Sequence, residues 1–186
     1  MAFSTRLAAL IGRPWFWAVV VGALFAGPLL RGLTQGGAPP PPEVLGTFPP
    51  FALVADDGRR FAASDLRGRP FIADLLCGKC GGASGRAGAM RTLQHRTRNL
   101  GDVLWLVSFS DELDPEALRL LRESHAAGQR WMLLSGVPAG TASLFSGENT
   151  VVLVDGQRRI RGRYEAAKAK EIDRLLTDAA LIAALR

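Results

Sequence analysis

At 186 residues and 48% hydrophobic content, the chain can hold one globular domain with a sizeable core, plus short additional segments. Its 23 Lys and Arg against 17 Asp and Glu leave a formal charge of +6. The cations are dispersed, which argues against a nucleic-acid surface, and there is no phosphate loop, Ser-His-Asp arrangement or zinc-ligand pattern. An acidic protein partner or anionic headgroups suit this balance better, as does a simply solvated basic face.

Residues 1–13 form a basic head that contains Arg6 and Arg13. From Pro14 to Leu30 the chain carries no charge, and the run ends at Arg31. It falls at the short end of the roughly 17–25 residues that span a bilayer. Trp15 and Trp17 suit an interfacial belt, and the preceding cations favour a cytoplasmic N-terminus. Residues 14–31 are therefore expected to be a single transmembrane helix in the inner (cytoplasmic) membrane, with the globular part on the periplasmic side. A cleaved signal peptide is the rival reading, although Leu24 and Ala26 before Gly27 make a poor cleavage site. Residues 32–44 read as a Gly/Pro-rich linker, in which Pro39–Pro42 favour an extended spacer of about 3.1 Å per residue.

The domain is expected over residues 45–186. Phe51–Val54 and Arg59–Ala62 flank the turn Ala55-Asp56-Asp57-Gly58, a hairpin signal. Pro70–Leu76 is an apolar run of buried-strand length. Ala87–Asn99 reads as a helix with Met90, Leu93 and Thr97 inward, and Val103–Ser110 as a strand buried on both faces. Asp114-Pro115-Glu116 is a helix start, with the helix running to Ala127 and stopping at Gly128. Trp131–Leu134 is a third strand, and a short helix covers Thr141–Phe145. Thr150–Val154 and Ile160–Tyr164 form a hairpin about Asp155-Gly156. A last helix over Ala167–Leu185 puts Ile172, Leu175, Leu176 and Ala179 on one face, with Ile182 or Ala183. Strands alternating with helices predict a thioredoxin-like α/β fold, a central mixed sheet with helices on both faces.

Both cysteines, Cys77 and Cys80, follow the Pro70–Leu76 strand in a turn broken by Gly78, Gly81 and Gly82. A thiol between a strand end and a helix start ionises more easily, because the helix N-terminus favours negative charge. Lys79 and Arg86 push the same way. The thiolate attacks disulfides and binds soft ions such as Cu(I), so the pair reads as catalytic, metal-binding or both. Two small buried hydrophobes are the plainer alternative.

Several segments together resemble the SCO/SenC family of membrane-anchored cytochrome oxidase assembly proteins. They are LGTFPPFALVADDGRRFAASDLRGRPFIAD, MRTLQ at Met90–Gln94, VSFS at Val107–Ser110, DPEAL, RWMLLSG and VVLVDGQRRIRGRY. Their order, behind an N-terminal anchor and proline linker, carries the likeness. The resemblance implies a periplasm-facing thioredoxin fold that binds copper through two cysteines and a histidine. It also implies a partner, the copper-bearing subunit of cytochrome c oxidase or another copper or thiol protein, and no nucleic acid.

The chain departs from the family's C-x-x-x-C-P pattern. Counted without gaps, Cys80 falls on the first family cysteine, Ser84 near the second, and Gly81 and Gly85 on the prolines. The other register takes Cys77 and Cys80 as the pair. The family histidine falls at Gly147, beside Glu148 and Asn149, and His95 and His125 read as surface residues. Two thiolates still hold Cu(I), whereas Cu(II) needs nitrogen or oxygen donors. For redox work Cys80 is the attacking thiol and Cys77 the resolving one. Asp74 is either a proton relay beneath them or a strand-end acid bonded to backbone. Glu148 is either a substitute oxygen donor or a solvated loop acid. Arg86, Arg91, Arg96 and Arg98 form a basic run that either docks an acidic partner or is simply solvated. A docking module that has lost its chemistry completes the set of readings.

Overall fold

The computed structural model describes residues 14–34, 39–76, 83–111, 114–147 and 149–184. The chain divides into two compact units, Met1–Pro40 and Pro41–Arg186. In the first, the uncharged run folds as helix α1, Pro14–Thr34. Among the described residues, no helix is long and apolar enough to cross a membrane.

The second unit is built on a mixed sheet of eight strands among the described residues, in the order Gly46–Thr47 (β1), Arg159–Glu165 (β8), Thr150–Val154 (β7), Phe71–Leu76 (β4), Trp105–Ser110 (β5), Trp131–Ser135 (β6), Ala52–Ala55 (β2) and Arg60–Ala62 (β3). β1 (Gly46–Thr47) pairs antiparallel with β8 (Arg159–Glu165). Two residues are too few to show a period in sequence, so this strand had no signal there. β2 (Ala52–Ala55) and β3 (Arg60–Ala62) form the expected hairpin, and β2 also pairs with β6 (Trp131–Ser135). β4 (Phe71–Leu76) lies at the centre, parallel to β5 (Trp105–Ser110) and antiparallel to β7 (Thr150–Val154).

Helix α2, Ala83–Arg96, carries the chain from β4 to β5, and α3, Pro115–His125, carries it from β5 to β6. The structure starts α2 four residues earlier than the pattern suggests and ends it at Arg96, where a 3-10 turn, Arg98–Val103, follows. Asp114 caps α3 as expected, its carboxylate accepting from the Glu116 amide at 3.0 Å. The last helix, α4, spans Ala169–Ala184 and buries Ile172, Leu175, Ala179 and Ile182.

Among the described residues, the three α-helices of this unit lie on one face, and the other carries only the short 3-10 helices Ala63–Leu66 and Ala142–Phe145, the latter close to the helix expected over Thr141–Phe145. β4, β5 and β6 step across the sheet in one direction, and right-handed crossovers in one direction place their helices on the same side. Met90 and Leu93 of α2, Leu121 of α3 and Leu175 and Ala179 of α4 pack together with Ile72, Leu106, Trp131 and Leu133. The opposite face is closed by aromatic side chains brought in from loops and from the 3-10 helix Ala142–Phe145. Phe48, Phe51 and Phe145 pack on Phe71 and Phe109 there, with ring centroids 5.2–6.4 Å apart. Edge-to-face contacts dominate this cluster, as the ring quadrupole favours.

Two buried arginine–aspartate systems tie loops to the sheet. Arg122 of α3 forms a bidentate pair with Asp56 in the β2–β3 turn. It also donates to the Ala127, Gly128 and Trp131 carbonyls at 3.0, 3.2 and 2.9 Å. Asp155 accepts from Arg159 and Arg161 at 2.7 and 2.9 Å, and Arg161 reaches the Pro42 carbonyl at 2.8 Å, fixing where the chain enters the domain. Asp56 is thus more than a turn residue, because its side chain is only 6% exposed and answers a cation from another element.

Removing one member of a buried pair leaves the other charge uncompensated. Asp56→Ala should therefore lower unfolding free energy by about 3 kcal/mol in urea melts, whereas Asp57→Ala, in an exposed pair, should cost under about 1 kcal/mol.

Candidate functional site

β4 ends at Leu76 and α2 begins at Ala83. Cys77, Cys80 and the choice of register between them lie outside the described residues. What is described is the platform from which that connection departs.

Three polar side chains from neighbouring strands meet on the helix-bearing face of the sheet. Asp74 on β4 stands opposite Ser108 on β5, the register that parallel pairing dictates. The Ser108 hydroxyl donates to Asp74 Oδ1, and the Trp131 indole N–H donates to the Ser108 oxygen at 2.7 Å. Asp74 and Ser108 are 1% and 0% exposed, so neither can turn to water for a partner. A carboxylate in such surroundings is tolerable only when hydrogen-bonded, and the indole orients the hydroxyl that does this. Asp74 therefore bonds to a side chain across the sheet, and it lies three residues before the first cysteine.

Sequence reasoning missed Ser108 and Trp131. The signal was present for Ser108, a hydroxyl in the middle of an otherwise apolar strand, on the same side as Asp74 once the two strands are set parallel. Nothing local marked Trp131 as the donor.

Trp131 also corrects the reading of His125. That imidazole is buried, not at the surface, and stacks on the indole with centroids 6.4 Å apart and planes 21° from parallel. Its Nε2 has no hydrogen-bond partner among the described residues. Burial, with Arg91 nearby adding repulsion, lowers its pKa below the ordinary histidine value. His95 is exposed as expected. The basic run is partly absorbed by the fold, since Arg91 donates to the Ser124 carbonyl at 3.0 Å and Arg96 pairs with Asp173 at 2.7 Å. The Arg86 side chain lies outside the described residues.

The position aligned with the family histidine is Gly147, with φ of +118°. A Cβ built there would lie 2.7 Å from Thr150 Oγ1. A side chain at this position would meet both a backbone conformation that disfavours it and a neighbour too close to accept it. Glu148 lies outside the described residues. The Asn149 carbonyl accepts from the Ala166 amide at 2.8 Å. Among the described residues no group of three His, Cys, Asp or Glu side chains could hold a metal ion. Two thiols by themselves would suit a soft monovalent ion, whereas Cu(II) would call for added nitrogen or oxygen donors.

Parallel β4-β5-β6 with crossover helices, an antiparallel β7–β8 hairpin beside β4 and a closing C-terminal helix define a thioredoxin-like α/β protein. No protein-family model matches the chain, and no curated protein matches it. Solved structures do. A SCO1/SenC family lipoprotein from Bacillus anthracis aligns at TM-score 0.63 and 20% identity, covering 76% of this chain and 98% of that one. BsSco, described as a cytochrome c oxidase assembly protein of the Sco family with a disulfide switch, aligns at TM-score 0.67 and 17% identity. The match covers 78% of this chain and 98% of that one. A thiol-disulfide oxidoreductase from Bacteroides fragilis aligns at 0.58 and 16%, covering 71% and 98%. The fold is SCO-like within the thioredoxin class.

Protonation of His125 is opposed in the folded state, so the unfolded chain takes up that proton more readily. Stability should be intact above about pH 6.5 and should fall as pH drops below it. Asp57 and Asp155 act only lower, because both carboxyls are held below 3.8. His125→Phe, which keeps the stack on Trp131, should flatten urea stability between pH 6.5 and 5, and an unchanged slope would contradict this assignment.

Proposed function

We propose that this chain is a SCO-like protein of respiratory oxidase maturation that handles Cu(I) as cargo through Cys77 and Cys80. The observation that carries the reading is the course of the chain. The cysteine-bearing connection leaves the C-terminal end of the central strand and enters a helix N-terminus, immediately after the buried Asp74–Ser108–Trp131 system. Sulfur donors suit Cu(I) without a third ligand. The partner of this reading is the copper-bearing subunit of the oxidase, or another copper or thiol protein outside the cytoplasm.

Thiol–disulfide exchange is the second reading, supported by the buried Asp74 carboxylate and by a fold shared with thiol-disulfide oxidoreductases. The Cys80 thiolate attacks a partner disulfide, and Cys77 then displaces the mixed disulfide. The partner leaves with two thiols, the chain keeps a Cys77–Cys80 bridge, and an external dithiol must restore it. A docking module without this chemistry is the remaining reading.

Anchoring belongs to the same proposal. What supports a single inner-membrane segment with the domain on the periplasmic side is sequence alone, the charge-free run Pro14–Leu30 with Trp15 and Trp17. Alkaline carbonate should leave the full chain in the membrane pellet, and release into the supernatant would remove the anchor from the model of function.

For the cargo reading, the reduced full chain should bind about one Cu(I) in competition with a chromogenic chelator, and Cys80→Ser should abolish it. Unchanged uptake in that variant would sink the copper reading. A Cys77–Cys80 bridge seen by mass spectrometry after mild oxidation would favour exchange. Oxidase assembly surviving the double Cys→Ser variant would leave docking alone.

A further inference from the structure

The turn between β7 and β8 contains a residue that its own geometry does not explain. Asp155, Gly156, Gln157 and Arg158 close the hairpin, with the Arg158 amide donating to the Asp155 carbonyl at 2.9 Å. A residue in the left-handed region follows this turn, and Arg158 occupies it with φ of +61°. Glycine or asparagine takes that conformation at little cost, and arginine does not.

The side chain adds a second cost. Arg159 and Arg161 of the same hairpin both pair with Asp155. Arg158 has no carboxylate partner among the described residues, and its Nη1 is enclosed with no hydrogen-bond acceptor. A buried donor left without an acceptor is destabilising, more so when charged. Strain and one unsatisfied donor therefore converge on one residue, a combination proteins keep where a ligand relieves it.

Arg158 lines a cleft of about 450 Å³ with Ser64 and Gln157 as polar neighbours and Pro50, Phe51, Ala62 and Ala63 as apolar wall. None of the residues lining it is acidic. The cleft adjoins Gly68, just before β4, and so opens at the end of the sheet opposite the cysteine-bearing connection. A mostly apolar concavity with a few convergent polar groups is the usual form of a small-molecule site.

We propose that this cleft binds a small organic anion, its carboxylate or phosphate taken by Arg158 with Ser64 and Gln157, and its apolar body laid against Phe51 and Pro50. The guanidinium turns about its last torsions to give Nη1 the acceptor it lacks. No covalent step is involved. The inference stands apart from the thiol reading, since it uses neither cysteine.

The test uses the full chain in a non-ionic detergent, titrated with benzoate, phenyl phosphate, neutral benzamide and inorganic phosphate while thermal unfolding is followed. Benzoate and phenyl phosphate should raise the melting temperature in a saturable way, and benzamide should not. Arg158→Gly suits the positive φ and should fold, with a melting temperature equal to or above that of the parent when no ligand is present. Its affinity for the two organic anions should fall tenfold or more, and its Cu(I) uptake should be unchanged. Absence of any shift in the parent, or equal shifts in the variant, overturns the site. Inorganic phosphate matching phenyl phosphate overturns the role of the apolar wall. A clearly lower melting temperature for unliganded Arg158→Gly assigns the residue to holding the turn instead.

Discussion

The position of β4 constrains everything else in the domain. It is hydrogen-bonded on both edges, to β5 and to β7, and its side chains are buried on both faces except for the partly covered Leu75. A strand held on all four sides cannot slip, because a one-residue shift would exchange its two faces and drive Asp74 into the phenylalanine cluster. Its C-terminal end is thereby fixed relative to the helices that follow. Whatever chemistry the next residues perform, they start from a rigid point.

The two faces of this strand solve different problems. One is closed largely by phenylalanines with aliphatic neighbours, so packing and ring geometry do most of the work. The other admits a carboxylate, a hydroxyl and an indole, which are compatible with a dry interior only as a connected set. Loss of one member would leave its neighbour without a partner that no water replaces. Arg122 and Asp155 follow the same logic at the periphery, each gathering several partners so that turns far apart in sequence share one anchor.

Much of the fold was legible from residue order. Short apolar runs bounded by turn residues marked β2 to β8, Asp114-Pro115 marked the start of α3, and the spacing of Ile172, Leu175 and Ala179 marked the inner face of α4. Two features were not legible. β1 is held by backbone bonds to β8, and two residues leave no pattern. The helices share one side because of crossover handedness, which acts between strands and not within a segment. For the site, Asp74 was visible as an oddity in an apolar run, but its partners come from strands some 30 and 60 residues further along. His125 misled for a related reason. A polar residue near a helix end looks solvated until the strand that covers it, beginning at Trp131, is set in place.

Gly147 leaves little room for any other residue. Its left-handed backbone and the hydroxyl of Thr150 already occupy the room an imidazole would need. Exchanging one amino acid for another at this spot would not by itself seat a larger side chain. The loop itself would have to be reshaped first. On the proposed Cu(I) reading, any third donor would come from the molecule that receives or delivers the ion, and the hold on that cargo would become a property of the encounter.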